Sequence, residues 1–196
     1  MSDSSRTSPG LPPPHLTRRT AFRALACGGA GVALWLGSAG RAAASPPGPR
    51  RVTFHNTHTL ESLSVEYCRD GAYCDPALAA VNQVLRDHRS GEVHAIDPGL
   101  LDLLSDLAIR CEKDPEFEVI SGYRSPETNA AMHARSTGVA AHSLHMEGRA
   151  IDIRLVGCEL GAVRDAGLAL GRGGVGYYQA SQFVHLDTGR VRRWVG

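Results

Sequence analysis

Ser143-Leu144-His145-Met146-Glu147-Gly148-Arg149-Ala150-Ile151-Asp152 sets a His and an Asp seven residues apart, with a Gly between them. Imidazole and carboxylate together suit a divalent zinc ion, and a catalytic zinc site takes about three protein ligands while leaving one position open. Gly148 permits a tight reversal after His145. Ala150-Ile151-Asp152-Ile153-Arg154 then alternates as a β-strand, which turns Ile151 and Ile153 into a core and Asp152 to the other face. Phe183-Val184-His185-Leu186-Asp187 alternates in the same way, with Val184 and Leu186 inward and His185 and Asp187 outward. Two short strands would thus bring Asp152 and His185 to one open sheet face, where His145 completes a set of three zinc ligands.

The rest of the chain supplies the frame. Asp75-Pro76, Asp97-Pro98 and Ser125-Pro126 each place a capping side chain before a Pro, the usual opening of a helix. The first predicts a helix with Leu78, Val81, Val84 and Leu85 along one face. The second carries Leu100, Leu101, Leu103, Leu104 and Leu107, a broad apolar stripe that belongs in a core. The third runs from Glu127 to about Arg135, and a fourth from Leu160 to Leu170, stopped by Gly171. Strands are expected near 51–55, 62–68, 117–121, 150–155, 174–179 and 183–187. Short strands interleaved with helices predict an α+β domain, a small antiparallel sheet flanked by helices. The connections 136–148 and 171–183 would border the site.

With those residues in place, the chain resembles a known family. Ser143, His145, Gly148, Ala150 and Asp152 match the Ser-x-His-x-x-Gly-x-Ala-x-Asp signature of the LAS-type zinc D-Ala-D-Ala peptidases. Ser121-Gly122-Tyr123-Arg124-Ser125-Pro126-Glu127-Thr128-Asn129 resembles the block that precedes this signature. Asn56-Thr57-His58-Thr59 and the run from His185 to Arg192 resemble the exported, murein-endopeptidase-like branch, so the likeness extends from about Val52 to Trp194. It implies a LAS/hedgehog-like zinc peptidase domain, one zinc per chain and peptidoglycan peptides as substrate. It also implies that Arg124 contacts the substrate or its tetrahedral intermediate. Ser143 is expected to orient a ligand or substrate group, Asn129 to serve as a supporting amide, and Tyr123 to form a pocket wall.

Such a reaction needs a general base. Many relatives carry Glu or Asp three residues before the last His ligand, where this chain has Gln182. An amide cannot accept that proton. Asp187, on the same strand face as His185, is the substitute, and Glu147, between the first two ligands, is the other candidate. Asp187 could equally pair with Arg190 or Arg192.

The N-terminus points outward from the cytoplasm. Thr17-Arg18-Arg19-Thr20-Ala21-Phe22-Arg23 precedes a Gly-rich apolar run, and Arg41-Ala42-Ala43-Ala44 offers a small-residue cleavage site. This order reads as a bacterial export signal of the twin-arginine type, delivering the protein to the periplasm or cell envelope. Residues 1–44 are then the signal, 45–50 a Pro-rich linker and 51–196 the peptidase domain. The apolar run is too short and too Gly-rich to span a bilayer, so no stable membrane span is expected after signal removal. The mature chain keeps sixteen basic and nineteen acidic residues, a net charge of −3. Nothing in that balance points to nucleic acid. One domain acting as a monomer is expected.

Cys68, Cys74, Cys111 and Cys158 survive processing, and an oxidising compartment permits disulfides among them. The hairpin-like turn Arg69–Ala72 makes Cys68 and Cys74 the first pair to consider. The functional reading is an exported zinc endopeptidase or carboxypeptidase of peptidoglycan. The alternative is a wall-binding module that keeps the zinc site but has lost turnover, a reading motivated by Gln182.

Overall fold

The computed structural model describes residues 48–136 and 138–196; the signal segment 1–44 lies outside the described residues. Eight strands form one sheet: β1 (Arg50–Asn56), β2 (Ser62–Arg69), β3 (Ala72–Tyr73), β4 (Glu116–Ser121), β5 (Ala150–Leu155), β6 (Gly174–Tyr178), β7 (Phe183–Asp187) and β8 (Arg192–Val195). Their spatial order is β3-β2-β1-β4-β5-β7-β6-β8. Neighbours are antiparallel except for β1–β4 and β6–β8, which run parallel. Helices α1 (Asp75–Val84) and α2 (Pro98–Arg110) fill the connection from β3 to β4 that makes the first parallel pairing possible. Helix α3 (Pro126–His133) follows β4, and α4 (Leu160–Leu170) links β5 to β6.

Two of the three Pro-marked starts are capped as their sequences predict. Asp97 accepts from the Gly99 amide at 2.8 Å and Ser125 from the Thr128 amide at 3.2 Å. The first start differs, because Asp75 is already helical and Cys74 occupies the cap without a side-chain bond. Gly171 closes α4 in the left-handed conformation.

The core lies against one sheet face. Cross-strand partners Phe54 and Phe117, Val119 and Ile153, Ile153 and Val184, and Ile151 and Leu186 form an apolar layer. Over it lie Leu100, Leu101, Leu103, Leu104 and Leu107 of α2, all buried. Each contributes roughly 1.5–3 kcal/mol by leaving water, and truncating one to Ala costs about 2–5 kcal/mol. The period-2 pleat then forces the alternate residues, Asp152 and His185, onto the opposite face. That face is not open, as the alternation alone suggests: Asp152, His185 and Asp187 are all buried.

Candidate metal centre

Asp152 and His185 are direct cross-strand partners on β5 and β7, so the sheet register itself brings the carboxylate to the imidazole. Oδ1 of Asp152 lies 2.8 Å from Nδ1 of His185. His145 arrives from a different kind of element, a 3₁₀ turn spanning Leu144–Glu147. Ser143 caps that turn, its Oγ accepting from the His145 amide at 3.4 Å. Gly148 ends it with φ 65°, and a Cβ there would sit 2.1 Å from the Ala95 carbonyl oxygen. Only glycine meets both demands.

The outer ring nitrogens fix the tautomers. Nδ1 of His145 lies 2.7 Å from the Gly122 carbonyl, which can only accept, so this nitrogen donates. Nε2 of His185 donates to Oδ2 of Asp187 at 3.1 Å. The inner nitrogens, Nε2 of His145 and Nδ1 of His185, therefore keep lone pairs in the neutral rings and face each other at 3.2 Å. Nε2 of His145 is 3.4 Å from Oδ1 of Asp152. Tetrahedral zinc with bonds of about 2.0–2.2 Å sets its ligand atoms roughly 3.3 Å apart, and three converging donors of this kind fit such an ion. Outer hydrogen bonds from ligating histidines to a carbonyl and a carboxylate are the customary support of a zinc site.

Charge is tightly held around the trio. Burial opposes ionisation of Asp152, but His145 and His185 hold its carboxyl well below the usual range. Burial would lower His185, yet hydrogen bonds to Asp152 and Asp187 push it up to about 9 when no metal is bound. Asp187 is wholly buried. Its oxygens accept from both terminal guanidinium nitrogens of Arg192, at 3.0 and 2.7 Å, and from the amides of Gly174 and Gly189, at 3.0 and 2.8 Å. Burial works against ionisation here too, and those bonds with His185 hold the carboxyl far below the ordinary range.

The three ligands open into a cleft of about 500 Å³, which Ser143 and Arg124 also line. Arg124 is 7% exposed, and its guanidinium reaches only neutral oxygens, Oδ1 of Asn129 at 3.2 Å and Oγ of Ser121 at 3.4 Å. Its Nε is buried without a partner among the described residues. Asn129 steadies this arrangement, donating to the carbonyls of Ala140 and Ala141 at 3.0 and 3.2 Å. Two expected site residues fall elsewhere. Tyr123 turns away from the cleft, stacking on His94 and donating to Glu92 at 2.7 Å, so it is not a pocket wall. Glu147 is exposed and pairs with Arg149 at 3.0 Å, outside the cleft lining. Gln182 likewise stays outside the lining, in a left-handed turn with its amide on the Gln179 carbonyl.

Sequence reasoning missed Trp194. A row across the sheet pairs Asp152 with His185, His185 with Gly176, and Gly176 with Trp194. A Cβ at 176 would meet the Trp194 ring at 2.5 Å. Glycine there lets the indole lean over to His185, with ring centroids 5.1 Å apart. The Gly-x-Gly-Tyr-Tyr run was the available signal.

The chain is similar to known proteins over most of its length. No solved structure matches the chain. The peptidoglycan L,D-endopeptidase MepK of Escherichia coli is 43% identical over 150 residues, which cover 76% of this chain and 82% of that protein. The probable peptidoglycan L,D-endopeptidase MepK of Haemophilus influenzae is 42% identical over 156 residues, covering 78% and 82%. The family model described as peptidoglycan L,D-endopeptidase MepK matches residues 44–194, all of the sheet and its helices but the last residue of β8, and the chain belongs to that family.

Proposed function

We propose that the protein is an exported zinc endopeptidase that hydrolyses peptide bonds in peptidoglycan, and that the bond it cuts joins an L to a D centre. The observation that carries this is the convergence of three ligand atoms within 3.4 Å of one another in a cleft lined by a buried guanidinium that forms no ion pair among the described residues. His145, Asp152 and His185 would hold the ion, whose chemistry when bound is Lewis acidity and an activated water near neutral pH. Arg124 meets the developing oxyanion or a substrate carboxylate, because its fork is charged and contacts only neutral oxygens among the described residues. Ser143 acts through the turn that carries His145. Asp187 orients His185 rather than taking a proton, since its oxygens already accept five hydrogen bonds. Asp152 is the sole carboxylate lining the cleft among the described residues, which leaves His58 and His142 as the proton acceptors that face substrate.

Export rests on the signal read in residues 1–44. No described helix is long and apolar enough to cross a membrane. Digestion of purified peptidoglycan with zinc-loaded protein, followed by mass identification of released fragments, tests the reaction. Cleavage at an L,D bond, lost in His145→Ala and His185→Ala proteins that no longer retain zinc, is the expected result. A second reading follows from the lack of a spare acidic base: a zinc-holding wall-binding module. Wall binding with no fragment released would favour it.

A further inference from the structure

The wall of the cleft formed by Arg124 continues to a second guanidinium, that of Arg89, which the hydrolytic chemistry does not use. Arg89 and His58 both line the cleft, from two separate connections. His58 sits in the turn between β1 and β2, fixed by the buried Asn56. Asn56 Oδ1 accepts from the His58 and Thr59 amides at 2.9 and 3.1 Å, and its Nδ2 donates to the Val84 carbonyl at 2.9 Å. The His58 ring stacks on His88 with centroids 4.0 Å apart and planes 10° from parallel.

Arg89 is placed by Asp87, which is 1% exposed. One Asp87 oxygen accepts from the Arg89 amide at 2.9 Å and the other from the Ser125 amide at 3.0 Å. A single buried carboxylate therefore holds the loop of Arg89 against the residue that follows Arg124. Asp87 spends its oxygens on backbone amides, so it does not neutralise either guanidinium by contact. Arg89 forms no ion pair among the described residues, and Arg124 reaches only neutral oxygens. The cleft thus presents two guanidinium groups, neither in an ion pair among the described residues; Asp152 and Asp87 act on Arg124 only through space, without contact. Arg124, buried with an orphaned Nε, is costly to keep charged and gains from a counterion that arrives with the ligand, while Arg89 is exposed and able to meet one directly. Guanidinium forks match carboxylates in shape as well as charge.

We propose that Arg89, beside the stacked His58–His88 pair, forms a carboxylate-binding subsite that selects wall peptides carrying a free carboxylate over amidated ones. The subsite is separate from the metal ligands and rests on the peptidase reading above. The burial and nearby positive charge of this wall keep His88 uncharged at neutral pH, so it serves as a flat support rather than a competing cation.

Two synthetic wall peptides with the same scissile bond test it, one with a free carboxylate and one with a carboxamide in its place. The mature zinc-loaded protein should favour the carboxylate peptide by roughly tenfold or more in kcat/KM, through KM. In Arg89→Gln that ratio should collapse toward one with zinc content unchanged, and Arg89→Lys should restore part of it. An unchanged ratio in Arg89→Gln overturns the subsite. Binding of both peptides, followed by NMR titration of wild type and Arg89→Gln, separates this idea from the function it rests on. Discrimination in binding that depends on Arg89, without cleavage of either peptide, would sink the peptidase reading and keep the subsite. Cleavage without any Arg89-dependent discrimination would do the reverse.

Discussion

Asp187 receives Nε2 of His185 at 3.1 Å while Arg192 grips both its oxygens, so the last ligand's imidazole is held by a carboxylate that is itself clamped. On the zinc reading proposed above, this geometry makes Asp187 a support for the metal site. Asp187→Asn keeps the shape but removes the charge that faces Arg192 and His185. Zinc affinity should fall about 10–100-fold, the usual effect of losing an outer partner of a ligating His. Stability should also fall, by up to about 3–5 kcal/mol, because a buried pair loses one partner. Competition with a fluorescent chelator and denaturant melts measure both. Unaltered zinc affinity and stability with a rate loss of about 10²-fold or more would instead identify Asp187 as the base.

Much of this site is legible in the order of residues alone. The alternation of Ile151, Asp152 and Ile153, and of Val184, His185 and Leu186, sets the strand phases, and the apolar members pack as a one-sided core requires. What alternation cannot convey is which strands become neighbours. That Asp152 lies directly across from His185 is a matter of register, and register is a tertiary outcome. The Gly122 carbonyl that orients His145 is a backbone group, invisible in residue identity. Glu147 illustrates the opposite failure. Its position between two ligands suggests proximity, but the 3₁₀ turn points successive side chains in different directions and sends Glu147 to solvent and Arg149.

Gly176 should tolerate no side chain. Gly176→Ala would drive a methyl into the Trp194 ring, which must then leave its place over His185. Overpacking of this kind costs about 1–3 kcal/mol. The expected outcome is a lower melting temperature together with a red-shifted Trp emission as the indole gains water. An unchanged spectrum and stability would show that the indole does not depend on the missing Cβ.

Acid should weaken the fold in part through Asp87. Burial would raise its carboxyl, but hydrogen bonds from Thr128 and from the Arg89 and Ser125 amides outweigh burial and hold it well below the ordinary range. The unfolded chain has an Asp pKa of about 3.9, so the folded form is depressed relative to it. The resulting stabilisation is fully present above that value and is lost as pH falls through it toward the folded pKa. Asp87→Asn should therefore destabilise the protein at pH 7 and flatten the stability curve between about pH 5 and pH 2. Denaturant melts of both proteins across that range decide the matter; parallel curves would exclude Asp87 from the acid response.

The cysteines give the last prediction. The β2–β3 register pairs Cys68 with Tyr73, so the pleat sends Cys74 to the opposite side, where it is exposed while Cys68 is buried. The 68–74 bridge suggested by spacing is therefore poorly placed. Cys111, at the end of α2, instead lies near Cys158, in the turn after β5. Burial first, and then Cys158, push the Cys111 thiol up to about 11. Little of it is thiolate at neutral pH, and only the thiolate attacks a disulfide. With oxidised glutathione as the acceptor of two electrons, Cys111 and Cys158 should become linked, slowly at neutral pH and faster as pH rises. Mass mapping of alkylated, non-reduced peptides reads the connectivity. A Cys68–Cys74 product formed ahead of Cys111–Cys158 would show that the pleat does not control which thiols meet.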